Sequence, residues 1–153
     1  MRFSTKAQGS TEYLIILAVV IIIALIVVGV LGGIPGIGRT GTQRASASFW
    51  LSQDIGITSY SVKSNGQVTF NLKNNLRNSA TVTAVTLGGQ AVGSGNLSLS
   101  TGSTGSRTGS TSLSCTAGKP FTYAVNISYT DDATSASYNL DGDGTKLEGS
   151  CAS

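Results

Sequence analysis

The chain of 153 residues contains no histidine, and charged residues make up only 11% of it. Without histidine, Ser-His-Asp and Cys-His catalysis are excluded, and the commonest ligand of transition metals is missing. The net charge is only +3, and the basic residues occur singly, so the sequence predicts no nucleic-acid-binding surface. We therefore expect neither an enzyme nor a nucleic-acid-binding protein, and we predict no cofactor and no metal site.

Cysteine is also scarce, with only Cys115 and Cys151 present. These two residues allow one intramolecular pairing, which would close a loop of about 37 residues and contribute roughly 4 kcal/mol in the chain-entropy model. Low charge together with many Gly, Ser and Thr residues is typical of a secreted, β-rich protein, and a disulfide is expected in that compartment. Two buried free thiols are the alternative if the protein stays in the cytosol.

The longest apolar run extends from Leu14 to Leu31, 18 residues without a polar side chain, or about 27 Å as a helix. That length is enough to span a bilayer, where the backbone satisfies its hydrogen bonds within a helix. The run is too long for an ordinary cleaved secretory signal, and no small-residue cleavage site follows it. We therefore predict a long hydrophobic helix that is retained in the mature protein and ends in a glycine-rich hinge.

From about Ile57 the apolar residues recur with a period of two, which predicts half-buried strands. The clearest examples are QVTFNL, SATVTAVTLGG, KPFTYAVNISYT and SASYNLDG. In the third of these, five side chains are predicted to share one face: Phe121, Tyr123, Val125, Ile127 and Tyr129. Residues 94–114 are rich in Ser, Thr and Gly, which indicates a surface loop with weak strands. The number of strands suits a small antiparallel sandwich.

The stretch KAQGSTEY, directly before the apolar run, resembles the class III signal peptides of archaeal type IV pilins. The resemblance covers about the first 30 residues of the chain. Four residues match the family pattern Q-x-S-x-E-Y: Gln8, Ser10, Glu12 and Tyr13. It implies that a prepilin peptidase cleaves between Ala7 and Gln8 and leaves the helix in place. Glu12 would then be the fifth residue of the mature chain.

This resemblance implies a structural subunit of an extracellular archaeal pilus, in which identical subunits polymerise through the hydrophobic helix into a helical filament used for adhesion. The implied partners before assembly are the cytoplasmic membrane, the prepilin peptidase and the assembly machinery. We expect Gln8, Ser10, Glu12 and Tyr13 to set the register between subunits. The alternatives are a membrane-anchored surface protein that presents a β-sandwich for binding, and a subunit of the archaellum filament.

The predicted fold class is α+β, a long N-terminal hydrophobic helix followed by an antiparallel immunoglobulin-like β-sandwich head. The predicted parts are a leader, the helix with its hinge, a linker or short helix, and the head, over residues 1–7, 8–38, 39–56 and 57–153.

Two N-x-[ST] sequons, at Asn96 and Asn126, are candidate acceptors of an N-linked glycan. The alternation around Asn126 predicts that its side chain points away from the apolar face, although sequons also arise by chance in a Ser-rich sequence. The stretch DGDGTKLE brings Asp141 and Asp143 close together, but Lys146 occupies the sixth position of the stretch, where a calcium loop needs glycine. We predict an Asx-type turn there.

Overall fold

The computed structural model describes the backbone of residues 8–32 and 37–153, and the side chains of residues 11–27 and 41–153. The chain divides into two compact units, with the boundary between Arg39 and Thr40. The described residues form two α-helices, α1 (Gln8–Gly32) and α2 (Ile37–Leu51), and ten strands. The strands are β1 (Ile55–Val62), β2 (Gln67–Asn74), β3 (Ala80–Leu87), β4 (Gln90–Ala91), β5 (Leu97–Leu99), β6 (Thr104–Ser110), β7 (Pro120–Tyr123), β8 (Val125–Asp131), β9 (Ala136–Leu140) and β10 (Leu147–Ser150). A short 3-10 helix, Gly142–Gly144, precedes β10.

The predicted fold class, α+β with a long N-terminal hydrophobic helix, is wrong. Over the described residues, strands occupy more of the chain than helices do, so the fold is mainly β. Among these residues no helix is both long enough and apolar enough to cross a membrane. The physical reason is that ten strands follow one another between Ile55 and Ser150, separated by short turns and loops, whereas α2 is a single, largely polar helix. The predicted leader and most of the predicted glycine-rich hinge lie outside the described residues.

The strands of the described chain form three antiparallel sheets, rather than the two sheets of the immunoglobulin arrangement. The first has the order β1-β2-β6, and the second has the order β4-β3-β8-β9, with β5 also paired to β3. The third consists of β10 and β7. The predicted strand KPFTYAVNISYT is therefore two strands, which separate at Ala124 and belong to different sheets.

Two strands contain a shift in register that reverses which positions face the core. In β3 the shift lies between Val82 and Ala84. Strict alternation would place Val82 and Val85 on opposite faces, yet both are buried, as is Leu87. A bulge adds one residue to a strand and so restores an apolar side chain to the inner face. β1 has a similar shift between Ile57 and Ser59.

One hydrophobic core contains residues from all three sheets and from α2. Its largest fully buried side chain is Trp50 of α2. Gly142 packs directly against this ring, since a Cβ at Gly142 would lie 2.5 Å from Trp50 Cζ2. The buried Ser46 joins α2 to β10, because its Oγ donates to Lys146 O at 2.8 Å and accepts from Glu148 N at 3.1 Å. From Thr40 onward, α2 therefore belongs to the β-rich unit.

The Ser/Thr/Gly-rich segment is more regular than a loop with weak strands. β6 pairs with β2 over seven consecutive positions, from Lys73 with Thr104 to Gln67 with Ser110. Its outward positions are exposed Thr and Ser residues, whereas its inward positions are Gly105, Arg107 and Gly109. The strand thus alternates like the others, but without an apolar residue on its inner face.

Candidate assembly surface

Within α1, an uninterrupted series of side chains from Thr11 to Val27 is exposed. Thirteen of these are large apolar side chains, and 42–65% of the surface of each is accessible. They are Tyr13, Leu14, Ile15, Ile16, Leu17, Val19, Val20, Ile21, Ile22, Ile23, Leu25, Ile26 and Val27. Because consecutive helical residues are turned by about 100°, these side chains surround the helix axis. We call residues 13–27 the apolar sleeve. No charged residue occurs within it.

Glu12 lies directly before the apolar sleeve, and its side chain is exposed. It is the fifth residue of α1, so it lies beyond the first turn, which contains no acidic residue. The favourable effect of a helix N-terminus on a carboxylate falls off within the first turn, and the backbone N–H at the fifth position already has an intrahelical partner. The carboxylate is therefore not required to cap α1.

The other predicted processing and register residues are only partly described. Tyr13 begins the apolar sleeve and is 65% exposed. Gln8 and Ser10 lie in α1, but their side chains are outside the described residues, and Ala7 is outside them altogether. The cleavage site and the register contacts therefore stay predictions.

The predicted disulfide between Cys115 and Cys151 is confirmed, with an S–S distance of 1.98 Å and a sequence separation of 36. Backbone hydrogen bonds hold the same C-terminal segment. Cys151 N donates to Lys119 O, and Ala152 N donates to Val62 O, both at 2.8 Å. The C-terminal end is thus joined covalently and by hydrogen bonds to the β-rich unit.

The two sequons lie in different environments. Asn96 is exposed in the connection between β4 and β5. Asn126 is in β8, where it is half-buried and is paired with Thr86 of β3. The prediction that Asn126 points away from the apolar face agrees with its neighbours, since Val125 and Ile127 are both buried.

The DGDGTKLE stretch contains the predicted Asx turn. Asp141 Oδ1 accepts a hydrogen bond from Asp143 N at 3.0 Å, and Asp141 caps the 3-10 helix. Among the described residues, no group of three or more His, Cys, Asp or Glu side chains could hold a metal ion.

A groove of about 470 Å³ lies beside α2 and is lined by residues of α2, β7 and β10 and of the segment before β10. Its charged lining residues are Lys146 and Glu148. The Ser46 hydroxyl, which also lines it, is engaged with two backbone groups. The groove therefore offers no activated nucleophile from this serine.

Arg107 is buried, with only 6% of its surface exposed, and nothing in the sequence pattern predicts this. Its Nη2 atom donates to Val82 O at 3.4 Å and also to Gly95 O. Burial lowers the pKa of this guanidinium below its ordinary value. An arginine among Ser, Thr and Gly residues has the sequence pattern of a solvated side chain, so only the inward position in β6 reveals its role.

Two tyrosines have strongly held hydroxyl groups. Burial raises the pKa of Tyr129, and its hydroxyl also donates to Asp54 Oδ2 at 2.8 Å. Burial likewise raises the pKa of Tyr60, with an additional contribution from the nearby Glu148 carboxylate. Both phenols stay protonated at neutral pH and serve as hydrogen-bond donors within the β-rich unit.

No protein-family model matches the chain, and no curated protein matches it at a significant level. The resemblance to archaeal pilin signal peptides therefore depends on the residues of KAQGSTEY and the apolar run after them.

Proposed function

We propose that this chain is a structural subunit of an extracellular pilus filament, similar to archaeal type IV pilins and used for adhesion. The observation that carries the proposal is the apolar sleeve, in which thirteen large apolar side chains are about half exposed. Monomeric soluble proteins rarely expose contiguous apolar patches larger than a few hundred Å². An apolar surface of this kind is expected to be buried by other molecules.

We propose that neighbouring identical subunits bury the apolar sleeve in the mature protein. The exposed side chains surround the helix axis, so a single partner on one side would leave most of them in water. Several neighbouring copies, each contributing its own apolar sleeve, would cover the whole circumference. Each Å² of apolar surface removed from water contributes about 25 cal/mol, which favours a polymer over a monomer.

Glu12 would supply the register that apolar contacts alone lack. Hydrophobic packing is non-directional, so apolar helices slide past one another at little cost. A carboxylate that bonds the N-terminal amine of Gln8 on an adjacent subunit would fix one axial position, and the hydroxyl of Ser10 is an alternative donor. Glu12 is suited to this role because it is exposed and is not needed to cap α1.

The proposed location is outside the cell, after a precursor stage at the cytoplasmic membrane where the prepilin peptidase and the assembly machinery act. The disulfide between Cys115 and Cys151 supports an extracellular β-rich unit, because disulfides persist in oxidising compartments and are rare in the cytosol. The proposal includes cleavage after Ala7, which would create the Gln8 amine that Glu12 binds.

The decisive experiment compares two leucines that are both well exposed in the isolated subunit. Leu25 is in the apolar sleeve and is 65% exposed, whereas Leu51 ends α2 and is 49% exposed. We expect Leu25→Asn to reduce the yield of sheared filaments at least about tenfold, the effect of about 1.4 kcal/mol on each assembly step. Leu51→Asn should leave the yield unchanged. Electron microscopy and intact-mass measurement of the filament subunit, expected to begin at Gln8, complete the test.

Equal filament yields from the two variants would contradict the assignment of assembly to the apolar sleeve. A second pair of variants tests Glu12: Glu12→Leu should leave the amount of protein in the membrane fraction unchanged but greatly reduce filaments, and Glu12→Asp should restore part of the yield. Normal filaments from Glu12→Leu would show that the carboxylate has no role in register.

A further inference from the structure

The two sequons differ in accessibility, and the more accessible one is the better acceptor for a glycan. We propose that Asn96 carries an N-linked glycan and that Asn126 does not. The inference depends on the proposed extracellular location of the β-rich unit, but not on filament assembly. It assigns a specific modification to a loop of the β-rich unit.

Asn96 is the last residue of a connection over residues 92–96, which we call the acceptor loop. Its side chain is exposed, and so are those of Ser94 before it and Ser98, the hydroxyl residue of the sequon. A transferase needs both the amide and this hydroxyl within reach, and at Asn96 both are on the surface. The Ser98 hydroxyl has one hydrogen-bond partner, the Thr81 hydroxyl, at 3.3 Å, and Thr81 itself is half-buried.

The acceptor loop is held at both ends and in the middle. At its start Val92 is fully buried, and Val92 N donates to Val85 O at 2.8 Å. In the middle Gly93 lies so close to β6 that a Cβ on Gly109 would be 2.0 Å from Gly93 N. The backbone of the loop is therefore held against β3 and β6, and the Asn96 side chain lies on the surface.

Arg107 provides the last anchor of the loop. Its Nη2 atom donates to Gly95 O, which belongs to the residue directly before Asn96. Hydrogen bonds from a charged donor are stronger than those between neutral groups. This accounts for a buried arginine in β6, whose guanidinium has carbonyl partners instead of a carboxylate.

Asn126 lacks this accessibility. It is half-buried within β8, whose next residue, Ile127, is paired on both sides, with Val85 of β3 and Leu140 of β9. The hydroxyl of its sequon also has one partner, since Ser128 Oγ donates to Asn139 Oδ1 at 3.1 Å, but Ser128 is half-buried whereas Ser98 is exposed. A transferase acting on the folded unit would meet an asparagine held within a paired strand, not in an exposed loop.

The transfer step needs a sugar donor linked to a lipid phosphate, together with a transferase. The Nδ2 atom of Asn96 forms a bond to the anomeric carbon of the sugar. The bond from that carbon to the phosphate oxygen breaks, and its electron pair stays on the phosphate. The amide nitrogen loses one proton to a base of the transferase, so no oxidation or reduction takes place.

The experiment is glycopeptide mass spectrometry of the full chain, produced in its native host and recovered from cell-surface and cytosolic fractions. We expect a sugar-modified peptide containing Asn96 and an unmodified peptide containing Asn126. Asn96→Gln and Ser98→Ala should each abolish the modification, the second while keeping the asparagine. Asn126→Gln should leave it unchanged. Arg107→Met, which keeps side-chain length but removes the donor to Gly95 O, should lower the modified fraction.

The outcomes separate this inference from the proposed function. Sheared filaments with unmodified Asn96, or with sugar on Asn126, would overturn the glycan assignment and leave the filament proposal standing. Modified Asn96 on surface protein that never forms filaments would support the glycan assignment and overturn the filament proposal. Unmodified protein confined to the cytosol would overturn both.

Discussion

The apolar sleeve and the β-rich unit use the same residue types in opposite ways. In the sleeve, Leu, Ile and Val are consecutive and remain exposed, whereas in the β-rich unit they alternate with polar residues and are buried. The alternating pattern lets one chain cover its own apolar surface, since each strand has one inner and one outer face. A helix that is apolar on all sides has no polar face that can be exposed to water. If the filament proposal is correct, stability and assembly are properties of different parts of this sequence.

Removal of the disulfide should have the largest effect on the β-rich unit. A Cys115→Ser, Cys151→Ser double variant should lower the free energy of unfolding by about 4 kcal/mol, because the bond closes a long loop in the unfolded chain. Urea unfolding in mild detergent, followed by the fluorescence of the only tryptophan, Trp50, measures it. Hydrogen exchange in residues 13–27 serves as the control and should not change. A loss below about 1 kcal/mol would contradict the prediction.

Leucine truncations compare the two regions directly. Leu72→Ala removes a fully buried side chain from β2 and should lower the free energy of unfolding by about 3 kcal/mol. Leu17→Ala removes the same atoms from the apolar sleeve, where the side chain is 42% exposed, and should leave Trp50-detected unfolding unchanged. Similar losses from both substitutions would mean that the sleeve contributes to the stability of the β-rich unit.

Removing the hydrogen bonds that join α2 to β10 and the residue before it should lower the stability of the β-rich unit by a smaller amount. Ser46→Ala leaves Lys146 O without its side-chain donor and Glu148 N without its side-chain acceptor, and should cost about 1–2 kcal/mol of stability. Ser48→Ala, at an exposed position of the same helix, is the matched control and should be neutral. If the two variants unfold at the same urea concentration, the hydrogen bonds of Ser46 contribute nothing measurable.

The smallest expected effect is a pH dependence at the turn after β8. The pKa of the Asp131 carboxyl lies below its ordinary value, chiefly because Asn78 Nδ2 donates a hydrogen bond to it. The backbone N–H groups of Thr134 and Ala133 lower it further. Because the folded pKa is the lower one, the stabilisation is present above the unfolded pKa of about 3.9 and is lost as the pH falls through the folded value.

Titration of the Asp131 carboxyl carbon by NMR tests this prediction. Asn78→Ala should raise the measured pKa toward its ordinary value and should flatten the acid limb of the stability curve. An Asp131 pKa at or above its ordinary value in the unsubstituted protein would refute the assignment.

The sequence predicted those parts of the fold in which apolar side chains mark the inner face. QVTFNL is β2, and its Val68, Phe70 and Leu72 are buried as expected. β6 could not be predicted in this way, because its inward positions are two glycines and an arginine. Glycine gives no apolar signal, yet it is what allows Gly109 to approach Gly93.

The fold class was wrong for a related reason. The apolar run is conspicuous in the sequence, and the predicted class was defined by its helix, whereas strands occupy more of the described chain than helices do. The bulges in β1 and β3 also could not be predicted from the sequence, because a register shift depends on the partner strand.

For the candidate site, the disulfide followed from the presence of only two cysteines, whereas the choice between Asn96 and Asn126 needed burial, which sequence alternation does not supply.

The disulfide also sets the extensibility of the β-rich unit. If a pulling force acts on Thr40 and Ser153, the residues between Cys115 and Cys151 cannot lengthen, because the tension passes through the sulfur–sulfur bond. A sequence separation of 36 corresponds to about 120 Å of extended chain, and the disulfide reduces the maximum extension of the unit by about this length. The last four strands of the unit, β7 to β10, all lie between the two cysteines and therefore carry none of the tension. Even when its sheets are pulled apart, the chain keeps a covalently closed loop at its C-terminal end.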